Sequence, residues 1–292
     1  MLKTVAGLLT GRVSDASYAA GWAAVRALPE GAAGRLFDAG ADLAARRGGK
    51  GVDRLRSNLA RVAPGQELTR AALRSYARYW REVFRLQVTP AERIVAGTET
   101  IGEPAIRDLL ASGRGVVFAL PHSGNWDMAG AWFGATGVRF TTVAERLKPE
   151  SLYDRFVEFR ESLGMEVLPL TGGERPPFDV LTERLAAGGA VCLMADRDLT
   201  PRGIDVDFFG ATARMPAGPA SLVLKTGAAL VPVHLSFTDR GWRIQFFPEV
   251  PSSDVPTMTQ AMARDFEYGI RRYPADWHML QRLWLDDLEP RR

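Results

Sequence analysis

From about residue 100 to residue 273, short apolar runs alternate with helix-like segments, and this alternation constrains the fold more than any other feature of the chain. Gly115–Leu120, reading Gly-Val-Val-Phe-Ala-Leu, has the character of a buried strand. A helix-like stretch at Asn125–Gly134 follows, then a strand at Phe140–Ala144 and a helix at Ser151–Leu163. Further strands are expected at Val167–Leu170, Ala190–Ala195, Val206–Phe209 and Ala229–Phe237, and helices at Phe178–Ala187, Ala217–Thr226 and Thr257–Tyr273. Trp242–Phe247 alternates in the manner of an antiparallel partner, and the tail beyond residue 273 reads as polar. Strands separated by helices of this kind predict an α/β fold, with a mixed, largely parallel sheet flanked by helices. In such sheets ligands bind at the carboxyl ends of the strands.

Residues 1–95 follow a different period. Tyr18, Trp22, Val25 and Leu28 recur at helical spacing, as do Leu36 and Leu43, and then Leu55, Leu59 and Val62. Thr69 is expected to cap a long helix whose apolar face carries Leu73, Tyr76, Tyr79, Trp80, Val83 and Leu86. Arg70, Arg74, Arg78, Arg81 and Arg85 form another face of it. That row reads either as a solvated helix face or as a contact for anionic headgroups or phosphates. The expected organisation is a helical, membrane-facing region over 1–95 and an α/β core over 96–292. No linker separates them, so they form one integrated domain.

Charge is unevenly placed. Residues 1–100 carry 16 basic and 9 acidic side chains, whereas 101–292 carry 21 and 25. A basic amino-terminal third on a mildly acidic body points to an anionic partner surface. Only four of the 37 basic residues are lysine, an arginine bias that a GC-rich genome also produces. No apolar run reaches the 18 or more residues of a spanning helix. The opening Met1–Arg12 lacks the long apolar stretch and small-residue cleavage site of a signal peptide. The expectation is therefore a peripheral protein on the cytosolic face of a membrane. The single Cys192 excludes an intrachain disulfide, and it leaves too few thiols for a cysteine-based zinc site. His122, His234 and His278 are the only histidines, too few for a His-rich metal site.

The strongest local signal is Pro121-His122-Ser123-Gly124-Asn125-Trp126-Asp127. His122 directly follows a buried strand, and Asp127 lies in the first turn of the next helix. A tight turn can fold the carboxylate back onto the imidazole, leaving the other ring nitrogen free to remove a proton. Alternatively, both residues merely cap a helix and satisfy a turn. Glu145-Arg146 ends the second strand and Asp196-Arg197-Asp198 the fourth, while Arg160 lies on the intervening helix. Charged groups at strand ends converge on the ligand edge of such a sheet. Trp126, Met128 and Trp132 read either as walls of an apolar groove or as plain core.

These segments carry a resemblance. The His box resembles the His-x4-Asp motif of glycerolipid-type acyltransferases. Together with Glu145, Arg160, Asp196-Arg197-Asp198, Val-Asp-Phe-Phe-Gly and Arg-Met-Pro-Ala-Gly-Pro-Ala, it is similar to the bacterial lipid A acyltransferase-like branch, over nearly the whole chain. Within that branch the segments are similar to those of actinobacterial members. Position 196 is Asp where close relatives are expected to carry Glu, which shortens the reach by one methylene.

The resemblance implies transfer of a long acyl chain, palmitoyl, from acyl-CoA to a mannose hydroxyl of a mannosylated phosphatidylinositol. His122 would be the general base and Asp127 its orienting partner. Glu145 and Asp196 would line the acceptor pocket or hold the catalytic array, and Arg160 would pair with one of them. Arg197 would belong to the substrate-binding group. Neither metal nor cofactor is implied. There is no Gly-x-Ser-x-Gly elbow, so direct attack by the acceptor, without an acyl-enzyme, is expected. Alternatives are a lipid A-like or other glycolipid acceptor, or a non-catalytic lipid-binding protein. No nucleic-acid-binding motif is present.

Overall fold

The computed structural model describes residues 15–146 and 150–287. The opening segment Met1–Arg12, read above as lacking a signal peptide, lies outside them. Four helices come first: α1 (Asp15–Ala27), α2 (Glu30–Arg47), α3 (Lys50–Val62) and α4 (Thr69–Arg85). A single 3-10 turn, Leu86–Val88, and the short helix α5 (Ala91–Ala96) lead into the sheet. Thr69 is the first helical residue of α4 and not its cap. Its N–H is taken by the Glu67 carboxylate at 3.1 Å.

The strands are β1 (Thr98–Ile101), β2 (Val116–Leu120), β3 (Phe140–Ala144), β4 (Met165–Pro169), β5 (Ala190–Met194), β6 (Ile204–Phe208), β7 (Ala211–Met215), β8 (Ala229–Phe237) and β9 (Trp242–Phe246). Between them lie α6 (Glu103–Ala111), α7 (Trp126–Ala135), α8 (Glu150–Glu161), α9 (Pro177–Ala186), α10 (Gly218–Thr226) and, after β9, α11 (Val255–Arg272). Seven strands form one sheet in the order β1-β9-β8-β2-β5-β3-β4. The run β8-β2-β5-β3-β4 is parallel throughout, and only the β8–β9 pair is antiparallel. β6 and β7 form a separate two-stranded hairpin.

Three elements differ from the sequence reading. β1 and α6 were not anticipated, because Thr-Glu-Thr-Ile is a polar edge strand with alternate residues exposed. β7 was likewise not anticipated; its small Ala213 hides the alternation that buries Ala213 and Met215.

β2 is buried along its whole length, which is why it reads as continuous apolar sequence. Val116, Phe118 and Leu120 face one layer, with Met128, Trp132 and Phe133 of α7, Phe159 of α8 and Tyr79 and Val83 of α4. Val117 and Ala119 face the other, with Leu181, Leu185, Met262, Phe266, Trp277 and Trp284. Residues of α1 and α4 thus belong to the same apolar cluster as the central strand. Met128 and Trp132 are plain core.

The arginines of α4 all have partners within the fold, although Arg70 stays largely and Arg74 partly exposed to solvent. Arg70 and Arg74 both clasp Asp42 of α2, through bonds of 2.5–2.8 Å. Arg78 holds Glu82 and the carbonyls of Thr238 and Gly241 in the β8–β9 turn. Arg81 lies 3.8 Å from Glu82. Arg85 donates to the carbonyls of Val25, Arg26 and Leu28, where a cation complements the unpaired carbonyls at the end of α1. The row ties the helices to one another and to the sheet.

Candidate active site

The register of two strands builds the site. β2 and β5 are parallel neighbours, with Leu120 level with Met194. His122 and Asp196 each lie two residues further on, so they emerge side by side at the carboxyl edge. The Asp196 carboxylate accepts from the His122 backbone N–H at 2.9 Å, meets ring Nδ1 at 2.6 Å, and accepts from the Trp277 indole N–H at 3.2 Å. Asp196 is fully buried. Burial alone would raise its pKa, but the charge and hydrogen bonds of His122, with the indole bond, hold it below the ordinary carboxylate value. An ionised carboxylate facing three donors requires the proton on Nδ1, which leaves Nε2 as the basic nitrogen. The His122 side chain is one-quarter exposed, and among the described residues nothing hydrogen-bonds its Nε2.

The carboxy-terminal segment fixes the histidine loop from the other side. Ser123 and Trp277 form an antiparallel bridge. His278 N–H donates to the His122 carbonyl and Gly124 N–H to that of Asp276, both at 2.8 Å. Gly124 has φ +54°, and a Cβ there would come within 2.7 Å of the Leu235 backbone, so the loop needs glycine at this position. The Asp276 carboxylate accepts from Ser75 Oγ of α4 and from Phe237 N–H at the end of β8. Asn58 of α3 donates to the carbonyls of Met279 and Gln281. The segment read as a polar tail is therefore a buried strap between the helical region and the edge that carries His122. Its sequence signal was Trp277-His278-Met279, too short a run to show any period.

Asp127 does not hold the imidazole. Asn125 caps α7 by accepting from Met128 N–H, and the first turn then carries Asp127 into the interior. There Arg160 Nε donates to it at 2.7 Å and Tyr79 Oη at 2.8 Å. Arg160, expected to pair with Glu145 or Asp196, pairs with Asp127 instead. Burial disfavours its charge, but the carboxylate outweighs that and raises its pKa above the usual arginine value. Tyr79 is driven well up as well, by burial and then by the Asp127 charge. Glu82 of α4 braces the same turn, accepting from the Asn125 side-chain amide at 2.9 Å and from the Trp242 indole at 2.7 Å.

Glu145 is exposed just past β3. Arg197 follows Asp196 and donates its Nε to the Arg282 carbonyl at 2.7 Å. Burial lowers the Arg197 pKa against the pull of Asp196, Asp198 and Glu145. The structure thus gathers His122, Asp196, Arg197 and Glu145 at one edge, with Asp127 and Arg160 as a separate buried pair. Trp126 links the two groups: its ring centroid lies 4.1 Å from that of Tyr79 and 5.6 Å from that of His122. Cys192 is no nucleophile, since burial pushes its thiol up to about 12. Among the described residues no group of three or more His, Cys, Asp or Glu is placed to hold a metal ion.

A histidine at the carboxyl edge of a parallel sheet, held by a buried carboxylate at one ring nitrogen and unpartnered at the other among the described residues, is an arrangement able to take a proton from a bound hydroxyl. The family model for bacterial lipid A biosynthesis acyltransferases matches residues 7–286, and the chain belongs to that family. It is similar to the phosphatidylinositol mannoside acyltransferase of Mycolicibacterium smegmatis, 56% identical over 97% of this chain and 95% of that protein. It is likewise 54% identical to the phosphatidylinositol mannoside acyltransferase of Mycobacterium tuberculosis, over 97% of this chain and 92% of that one.

Proposed function

We propose that this chain transfers a long-chain acyl group, palmitoyl, from acyl-CoA to a mannose hydroxyl of phosphatidylinositol mannosides. The observation that carries the chemistry is the His122–Asp196 pair, which leaves Nε2 as the base. In the proposed reaction Nε2 takes the proton of the mannose hydroxyl as its oxygen attacks the thioester carbonyl. The tetrahedral adduct collapses with cleavage of the carbon–sulfur bond, and the imidazolium returns the proton to the leaving thiolate. The products are the mannose ester and free CoA. Asp196 supports the imidazolium formed midway, in the manner of the carboxylate in hydrolase triads. Glu145 and Arg197, at the same edge, are the proposed contacts for the polar substrate groups.

The acceptor assignment is supported by the names of the two relatives, which match nearly the whole chain. The test is incubation of the purified protein with palmitoyl-CoA and a panel of glycolipids, read by mass spectrometry. Acylation of the phosphatidylinositol mannoside is expected; preferential acylation of a lipid A precursor would reassign the acceptor. No transfer to any acceptor by a folded protein that still binds lipid would leave only a lipid-binding role.

Membrane attachment is proposed to be peripheral. Among the described residues no helix is long and apolar enough to cross a membrane. With the α4 arginines engaged internally, the proposed contact moves to the outer face of α2. There Leu36 and Leu43 are 59% and 42% exposed, and Arg35, Arg46 and Arg47 are exposed on the same helix.

A further inference from the structure

We propose that Trp277 is a positioning residue for the catalytic pair, its indole N–H locking the Asp196 carboxylate so that Oδ1 faces the imidazole. The proposal rests on the acyltransferase reading of His122 and Asp196 given above.

Three observations carry it. The first is the division of the carboxylate. Oδ1 meets the His122 ring, while Oδ2 accepts both the His122 backbone N–H and the Trp277 indole N–H. Two of these three contacts come from His122 itself and move with its loop. The indole is the only side-chain donor from another element among the described contacts of Asp196, so it ties the pair to the rest of the fold.

The second is the way the indole is held. Trp277 is fully buried, with ring centroids of Phe208, Trp284 and Phe209 at 6.2, 6.1 and 6.5 Å. Aromatic neighbours on this scale fix ring orientation. Its backbone is bridged to Ser123, so the segment that pins the histidine loop also aims the indole.

The third is contrast with other tryptophans. The Trp284 N–H is spent on the Phe208 carbonyl, and the buried Trp80 N–H has no partner. The Trp242 N–H also ends on a carboxylate, that of Glu82, which accepts from the Asn125 side chain as well. At Trp277 the N–H ends on the carboxylate that orients the base.

The experiment is Trp277→Phe, which keeps an aromatic ring and removes the donor. A hydrogen bond to a charged group is at stake, so kcat should fall about 10-fold while KM for both substrates holds. The acid limb of the kcat/KM profile should move to higher pH, because a carboxylate relieved of one donor attracts the imidazole proton more strongly. In an Asp196→Asn background the same change should cost nothing further. Wild-type kcat and pH profile, a loss confined to KM, or a loss that adds fully to that of Asp196→Asn would each overturn the proposal. Should the phenylalanine variant not fold, 3-benzothienylalanine at this position, with sulfur in place of the indole N–H, makes the same comparison. His122→Ala separates the two levels. Turnover by folded His122→Ala would sink the acyltransfer mechanism, whereas an inactive His122→Ala beside a wild-type-like Trp277→Phe would remove only the role of Trp277.

Discussion

Arg160 Nε donates to Asp127 Oδ1 at 2.7 Å across 33 positions of sequence, and that bond takes from the histidine box the carboxylate its spacing assigns to the imidazole. The second carboxylate, Asp196, meets the imidazole from the end of another strand. The histidine of the box thus meets a carboxylate 74 residues away, and its aspartate a guanidinium 33 residues away.

For the catalytic pair, His122→Ala is expected to abolish acyl transfer with the fold intact. Asp196→Asn should lower kcat by about 10²–10⁴-fold. An amide offers one acceptor oxygen to three converging donors, so one bond is lost and the imidazole is left free to adopt the other tautomer. Steady-state turnover with melting curves of both variants checks this.

For the buried pair, Asp127→Ala should act first on stability. It leaves a guanidinium that is only 19% exposed without its carboxylate, at a cost of about 3 kcal/mol. Replacing both partners, as in Asp127→Leu with Arg160→Met, should cost less than Asp127→Ala alone. Urea unfolding of the three proteins measures the difference; a double variant less stable than Asp127→Ala would show that the pair is not an isolated unit.

For pH, His234 and His278 are buried, and burial lowers both to about 3 from 6.5. Above pH 6.5 both are neutral whether folded or unfolded. Below it the unfolded chain takes up protons that the folded one refuses, so stability falls by about 1.4 kcal/mol per pH unit for each histidine until about pH 3. Asp265, raised to about 6 by burial, opposes this with one proton between about 6 and 3.8. His234→Asn should therefore flatten the fall in unfolding free energy between pH 6.5 and 4 by one proton. An unchanged slope would mean that His234 is solvated in the native state.

For the membrane, Leu36→Glu with Leu43→Glu should weaken sedimentation with anionic vesicles. Arg70→Ala should lower stability and leave binding nearly unchanged, because that arginine is held by Asp42. Each basic residue near an anionic surface contributes roughly 1 kcal/mol, screened by salt, so binding should also decline as salt rises. Equal loss of binding in the leucine and arginine variants would return the contact to α4.

For the donor, activity should peak near palmitoyl-CoA and drop for longer chains. Each methylene that the protein buries would contribute about 0.8 kcal/mol, and a chain too long to be buried would gain nothing further. Trp126, beside His122, is the nearest candidate for a wall, and Trp126→Ala should alter the chain-length profile. A flat profile unaffected by this change would place the chain elsewhere.

Most of the elements, and the sheet edge that carries the candidate site, are legible in local pattern alone. Strands buried on both faces must be apolar throughout, so β2 and β8 announce themselves locally, while β3 and β5 show as short runs between helices; the residues just past β2, β3 and β5 are readable as candidates. His122, Glu145, Asp196 and Arg197 were found in this way. What the sequence left open was which candidate meets which. Partnership depends on strand order and register: only the adjacency of β2 and β5 sets Asp196 level with His122, and only the direction of the first turn of α7 carries Asp127 to Arg160. The arginines of α4 show the same division. Their spacing gives a face, but the partners that consume their charge come from α1, α2 and the β8–β9 turn. Trp277 was least legible of all, because a single indole in a short irregular segment has no period, and its role exists only where the strap crosses the histidine loop. Local propensity and patterning act over a few residues, whereas a hydrogen-bonded site is assembled by tertiary packing from residues far apart in the chain.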